Sequence, residues 1–169
     1  ATRCDLYIAM KQFSKAIQSA EYGINLVRKF GPSSDSLNQL GYLYNSIGNA
    51  FQDSVKMVKF PDHHERLDIY AESFYSKARE YFDSSGNDQA LMTCIGNLAA
   101  LYERMEKYKH SQLINEEGIE LYKSLNDPLL KIQLKIFYIN HGTALARQNL
   151  FQEAMNSYSS ALNIISNSR

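Results

Sequence analysis

Residues Tyr138 to Leu162 read YINHGTALARQNLFQEAMNSYSSAL, and the fold is decided there. Small and large residues alternate at helical spacing. Tyr138, His141-Gly142 and Leu145 form one set; Ala154, Tyr158 and Ala161-Leu162 form the next. Gly142 and Ala154 are small where two helix backbones must approach closely. Tyr138, Leu145, Phe151 and Tyr158 have the bulk to fill the gaps around them.

This order of residues resembles the tetratricopeptide signature, W-x2-L-G-x2-Y followed by A-x3-F. The resemblance implies a helix–turn–helix hairpin with its turn near Arg147 to Phe151. For the whole chain it implies an all-α fold, a right-handed superhelical array (α-solenoid) of about four hairpins. It also implies a class of function, protein binding, without naming the partner.

The composition agrees. The 169 residues can form one domain with a sizeable core. Lys+Arg and Asp+Glu balance at 18 each, which argues against a nucleic-acid binder with its basic stripe. No apolar run approaches the roughly 20 residues needed to span a bilayer, so no membrane insertion is expected. Cys4 and Cys94 lie far apart inside helical patterns and behave as small hydrophobes. They predict a reducing, cytoplasmic compartment.

From its first residue the chain reads as if it opens inside a repeat, and is expected to be a piece of a longer array. Ala1 to Met10 carries Leu6, Tyr7 and Met10 at helical spacing. Phe13 to Phe30 makes a second helix whose Phe13, Ala16, Ala20 and Gly23 match Phe151, Ala154, Tyr158 and Ala161. Gly31-Pro32 stops it. In the next repeat Ser33, Ser34 or Asp35 can cap a helix, and Leu37, Leu40-Gly41 and Tyr44 repeat the first-helix pattern. The second-helix slots, Ala71, Tyr75 and Ala78, come about 18 residues late. Two lengthened helices, roughly 34–59 and 62–83, joined at Phe60-Pro61-Asp62, account for the delay. A third repeat follows the stop at Ser84-Ser85-Gly86, with Asn87 or Asp88 as its cap. The fourth follows Asn126-Asp127-Pro128. The expected repeats are 1–30, 33–83, 87–125 and 128–167 of a single domain, 1–169.

Tyr108 and Phe151 are 43 residues apart, and Ala78 and Gly118 are 40 apart. Both exceed the 34 residues of the standard repeat. The chain therefore resembles the long-repeat branch of the family, to which kinesin light chains belong. Gly96-Asn97-Leu98-Ala99-Ala100-Leu101-Tyr102 is similar to their first-helix phrase. Tryptophan is absent and the second repeat is interrupted; both depart from the pattern.

Chemistry is not indicated. His63-His64 beside Asp62 and Glu65 has metal-capable side chains, but neighbours in sequence point to different sides of a helix. No cysteine or further histidine is close in sequence, so no metal site is expected. His141 stands in a leucine slot and reads as a packing residue with one hydrogen-bond partner rather than a base. With no phosphate loop, His-Glu-x-x-His or nucleophile elbow, neither cofactor nor catalytic residue is expected.

The polar residues of the first helices carry the functional reading. Asn97 and Arg104 recur 43 residues later as Asn140 and Arg147. Asparagine forms helices poorly, so its return at the same mid-helix place needs a reason. In the second repeat the same places hold Gln39 and Ser46. The family resemblance implies a concave groove in which such a ladder grips an extended peptide, each amide both donating and accepting. Gly96 and Ile139 stand beside the ladder where the chaperone-binding variant of the family has lysines. The expected function is a non-catalytic scaffold that binds a protein or peptide at Gln39, Asn97, Arg104, Asn140 and Arg147. The competing readings are a regulatory or substrate-docking segment of a larger enzyme, and a structural array that self-associates into homo-oligomers.

Overall fold

A computed structural model describes the backbone of residues 3–58 and 61–166. It holds α1 (Arg3–Ala9), α2 (Phe13–Arg28), α3 (Ser34–Ser54), α4 (Pro61–Ser85), α5 (Asp88–Arg104), α6 (Tyr108–Leu125), α7 (Lys131–Arg147) and α8 (Phe151–Ser166). No strand occurs among the described residues. The expected helix over 34–59 ends as α-helix at Ser54 and continues as a 3-10 turn, Val55–Met57. Ala1, Thr2, Lys59, Phe60 and the last three residues lie outside the described residues. With them lie the expected break at Phe60 and the outer ends of the first and last expected repeats. The chain divides into two compact units, Ala1–Cys94 and Ile95–Arg169, and α5 runs through the division.

The caps follow the local sequence. Ser33 and Ser36 form a reciprocal capping box at the start of α3, Ser36 N–H donating to Ser33 Oγ (3.1 Å) and Ser33 N–H to Ser36 Oγ (2.7 Å). Asn87 Oδ1 accepts from Ala90 N–H at the start of α5, and Asp127 from Leu129 N–H before Pro128. Gly31 and Gly86 take the left-handed backbone expected of them. Lys11, Glu106 and Asn149 take it as well, at φ 56, 57 and 63. Each ends a helix with the same pair of backbone bonds: Lys11 N–H to Ile8 O and Gln12 N–H to Tyr7 O, then Glu106 to Glu103 and Lys107 to Tyr102, then Asn149 to Ala146 and Leu150 to Leu145. This is the Schellman arrangement, which satisfies carbonyls that the helix end leaves open.

In the first unit, α3 and α4 lie face to face through two glycines. A Cβ on Gly48 would stand 2.6 Å from the Tyr75 ring, and one on Gly41 2.6 Å from the Phe82 ring. Tyr75 is fully buried between Ala71 and Ala78, each about one turn away on its own helix. Beside them runs a continuous series of rings. Tyr81 stacks on Tyr44 (5.4 Å between centroids), Tyr44 on Phe74, Phe74 on Phe51 (5.6 Å), and Phe51 meets Tyr70. Phe51 is thus used within α3 and α4. At the unit's end, Cys94 Sγ donates to the Tyr75 carbonyl (3.2 Å). Burial pushes the Cys94 thiol up to about 12, and burial with the neighbouring Asp5 charge pushes Cys4 up to about 11. Both stay protonated and chemically quiet at neutral pH.

In the second unit Phe137 of α7 is 2 % exposed. A Cβ on Gly118 of α6 would lie 2.6 Å from its ring, and one on Gly96 of α5 3.9 Å. Gly142 plays toward Tyr158 of α8 the part that Gly48 plays toward Tyr75, with 2.7 Å to the ring. In the last hairpin Ala154 and Ala161 are buried as expected, whereas Phe151, expected to fill the gap, is mostly exposed at the start of α8. Between α5 and α6 the core is polar. Ser111 Oγ donates to the Ala99 carbonyl (3.2 Å), and Asn115 Nδ2 to the Ser111 carbonyl (2.7 Å), both side chains fully buried.

Candidate functional site

Four of the five expected groove residues lie in the second unit. Asn97 and Arg104 are half-buried on α5, and each is engaged within the fold. Asn140 is half-buried and Arg147 exposed on α7. The two helices touch where Gly96, next to Asn97, meets Phe137, one turn before Asn140. Gln39 is exposed on α3 in the first unit, and there the register differs from the sequence alignment. The glycine that admits the second-helix tyrosine is Gly48, not Gly41. Counting from Gly48 as from Gly142, the two ladder places fall on Ser46 and Asp53. Ser46 is buried and donates to Asp5 (3.1 Å), and Asp53 pairs with Lys56 (2.7 Å). The aligned places in the first unit are therefore spent on internal contacts, and Gln39 sits two turns before Ser46, the nearer of them.

Sequence reasoning missed an apolar stripe. Ile132, Ile136 and Ile139 of α7 are 65 %, 43 % and 40 % exposed. Together with Thr143 they recur at three- and four-residue steps, the period of one helix face. Asn140 and Arg147 border the same stripe. The opposite side of α7 buries Leu134, Phe137, Ala144 and Leu145. α7 is thus apolar on two faces, only one of which the fold covers. At the matching places on α5, 43 residues earlier, stand the small Gly96 and the exposed Ala100. The signal was legible as three isoleucines in a helix that already had a complete core stripe.

On the other side of α7, His141 departs from expectation by making two hydrogen bonds. Its Nδ1 lies 2.9 Å from Ser157 Oγ on α8 and its Nε2 3.1 Å from Glu116 Oε1 on α6. The trio has the residue types of a hydrolase triad but not its arrangement. Ser157 is 6 % exposed in the middle of α8, and its hydroxyl donates to the Glu153 carbonyl of its own helix (3.1 Å). Backbone N–H groups around it belong to the helix ladder, so none is left to stabilise an oxyanion. Its chemistry is structural: His141 ties three helices together. Burial pushes the Glu116 carboxyl up, but hydrogen bonds from Gln112 and His141 and the charges of His141 and Lys109 outweigh it. The net result holds Glu116 below the usual carboxylate range.

Next to this trio, α6, α7 and α8 leave a cavity of about 250 Å³. Glu116, Glu120 and Lys123 edge it on α6, Tyr138 and His141 on α7, and Asn156 on α8. Lys123 is bound to Glu120 at 2.6 Å. Among the described residues no group of three or more His, Cys, Asp or Glu is placed to hold a metal. His64 turns back onto the Val58 carbonyl (2.9 Å).

No protein-family model matches the chain, and no curated protein matches it in sequence. Solved structures do match. BtubC (BKLC) from P. vanneervenii superposes with a TM-score of 0.77 at 19 % identity, over 98 % of this chain and 61 % of that one. The apo form of RapI superposes with a TM-score of 0.74 at 14 % identity, over 98 % of this chain and 54 % of that one. This chain spans somewhat over half the length of each. The fold is a tetratricopeptide-type array of helical repeats.

Proposed function

We propose that the protein is a non-catalytic protein-interaction module whose working surface is the exposed face of α5 and α7 in the second unit. The observation that carries this reading is the isoleucine stripe of α7, which borders Asn140 and Arg147. Three neighbouring isoleucines at 40 % exposure or more on one helix face are apolar area that a partner can cover. The flanking amides and guanidinium groups supply orientation and charge-assisted hydrogen bonds. The small Gly96 and Ala100 leave room for a peptide or helix backbone against α5. On this reading Gln39 lies outside the site. Arg147 and Arg104 also predict tighter binding to acidic segments, weakening with salt. A cytoplasmic setting belongs to the same reading and is supported by the two protonated, buried thiols. No helix among the described residues is long and apolar enough to cross a membrane.

The test is capture of partners on the immobilised chain, mapping of the bound segment as a synthetic peptide, and its titration against variants. Asn97→Ala with Asn140→Ala should weaken binding roughly tenfold, at about 0.5–1.5 kcal/mol per amide, with a fall in melting temperature no larger than the loss of Asn97's contact within the fold requires. Ile136→Ser with Ile139→Ser should weaken it further. Unaltered affinity in both double variants sinks the reading.

A second reading, self-association, has one observation of its own. Phe151, Met155 and Leu162 of α8 are 62 %, 62 % and 64 % exposed. Their counterparts 43 residues earlier, Tyr108, Gln112 and Ile119, lie on α6, which packs against α7. Light scattering over a concentration series that shows a growing mass, abolished by Met155→Lys, would favour this reading over a monomeric receptor.

A further inference from the structure

The face of α7 that carries the isoleucine stripe has a charge as well as a pattern. The chain as a whole is balanced, with 18 cations and 18 acidic residues, but α7 is not. It holds Lys131, Lys135 and Arg147 and no acidic residue at all. None of the three has an ion-pair partner among the described residues. On the part of α5 that belongs to the same unit, Glu103 is the one acidic residue, and Arg104 follows it. At 3.6 residues per turn, Lys131 and Lys135 fall on one flank of the stripe and Arg147, with Asn140, on the other.

The spacing within the stripe is that of a seam between two helices. Ile132, Ile136, Ile139 and Thr143 follow one another at steps of four, three and four residues, the a and d steps of a heptad. An apolar seam with cations on both flanks is complementary to a second seam with carboxylates on its flanks. An extended strand fits it poorly. Isoleucine offers no hydrogen bond, and the Thr143 hydroxyl is already bonded to the Ile139 carbonyl (3.0 Å) and shared with the Tyr158 hydroxyl (3.2 Å). A strand laid along the stripe would bury backbone groups with nothing to pair them. An α-helix arrives with its backbone bonds made.

We propose that this face of α7 receives an acidic amphipathic α-helix of a partner protein. Its apolar residues lie at heptad steps on the isoleucines, and its Asp and Glu side chains reach Lys131, Lys135 and Arg147. The proposal rests on the α5/α7 face being the working surface, and it names the chemistry of what docks there. From Ile132 to Thr143 the stripe runs about 16 Å along α7, so a partner helix of about four turns covers it. A segment that short is barely helical alone in water. Ordering it on binding holds the affinity to about the micromolar range.

The experiment is a fluorescence-anisotropy titration of the chain with a labelled, designed peptide of about three heptads. It carries leucine at a and d and glutamate at e and g, whose like charges keep it from pairing with itself. Two control peptides change one property each: a central proline breaks the helix, and lysine for glutamate reverses the charge. The acidic peptide should bind with a Kd in about the micromolar range, the proline peptide about tenfold more weakly, and the lysine peptide not measurably. Raising salt from about 0.05 to about 0.5 M should weaken the acidic peptide severalfold. Ile136→Ser with Ile139→Ser should weaken it about tenfold. Lys131→Glu with Lys135→Glu should weaken the acidic peptide and strengthen the lysine peptide, an exchange that an unfolded variant cannot show. The salt and proline arms use the unmodified chain and decide even if a variant fails to fold. Equal binding of the proline or lysine peptide, indifference to salt, or no exchange in a folded charge-reversed variant overturns the proposal. The α5/α7 reading is judged separately, on captured partners. If their binding falls in Ile136→Ser with Ile139→Ser while the acidic peptide does not bind, that reading stands and the helix falls. If neither captured partners nor peptide respond to those variants, both fall.

Discussion

The α3/α4 hairpin and the α6 helix meet the same packing problem with opposite chemistry. At the slot midway along the second helix, α4 places Tyr75, and α3 answers with Gly48, whose missing side chain leaves the space for the ring. The Tyr75 hydroxyl reaches out of the core to Asn49 Oδ1 (2.7 Å), so the buried ring leaves no polar atom stranded. At the matching slot α6 places Asn115, fully buried. Its Nδ2 donates back to Ser111 one turn earlier, while its Oδ1 has no hydrogen-bond partner. One slot contributes aromatic packing and complete polar pairing. The other carries a buried acceptor to which no protein group donates, at a cost of about 1–3 kcal/mol. The repeat pattern is therefore a pattern of volumes; the energy each slot contributes depends on what fills it.

The largest effect should come from emptying the aromatic slot. Tyr75→Ala removes a fully buried ring opposite a glycine that cannot fill the space, and should destabilise by about 3–5 kcal/mol. In thermal unfolding followed by circular dichroism this is a fall of roughly 10 °C or more. Gly48→Ala tests the same contact from the other side. Its Cβ would sit 2.6 Å from a ring with no exposed edge to move toward, so a loss of about 1–3 kcal/mol is expected. If Gly48→Ala melts like the parent chain while Gly41→Ala does not, the register of α3 and α4 is the one the sequence suggested, and the comparison falls.

That register shows how far the sequence can be read. Gly41 and Gly48 are seven residues apart, two helical turns, and so lie on one face of α3. Either satisfies the first-helix pattern, and only the ring on the facing helix distinguishes them. In the last hairpin a single glycine, Gly142, precedes a single tyrosine slot, and there Gly142 faces Tyr158, one of the residues expected to fill the gaps around it. Capping before α3 and α5 was legible to within a residue or two, Ser33 being one of three candidates and Asn87 one of two, because each cap is a contact within three residues. The turns at Lys11 and Glu106 were not. Neither is a residue that favours a left-handed backbone, and the arrangement holds because the helices on both sides impose it. Nor could spacing reveal that Glu116 meets His141 across 25 residues, since that contact depends on how α6 and α7 cross. The ladder of Asn97, Arg104, Asn140 and Arg147 was legible as a repeat. The isoleucines beside it were overlooked because α7 already had a sufficient core face.

The comparison sharpens if the polar slot is made to resemble the aromatic one. Asn115→Leu keeps the branching and the number of side-chain heavy atoms, removes the open Oδ1 and loses the bonds to the Ser111 carbonyl and hydroxyl inside helix α6. A stabilisation of about 1–2 kcal/mol is expected, smaller than either loss above and opposite in sign. Thermal melts would show it as a rise of a few degrees. A destabilised Asn115→Leu would mean that the buried amide contributes a bond the fold relies on, and that the two slots are not alternatives.

The smallest effect concerns pH, and it should be confined to the polar region. The fold holds the proton affinity of Glu116, next in sequence to Asn115, below that of an ordinary carboxylate. Burial works against this, and the hydrogen bonds from Gln112 and His141, with the charges of His141 and Lys109, prevail. A carboxyl whose folded-state pKa lies below its unfolded value stabilises the fold above the unfolded value, ordinarily near 4.5. That contribution is lost as pH falls through the lowered folded-state value. The side chain is 42 % exposed, so solvent screening limits it to about 0.5 kcal/mol. Glu116→Gln should accordingly be slightly less stable than the parent at neutral pH and indistinguishable from it in strong acid. The difference should be visible in the amide-exchange protection of α6 and α8 and absent from α3 and α4. Equal acid sensitivity in Glu116→Gln, or a change that appears first in the α3/α4 hairpin, would break the assignment of polar chemistry to α6.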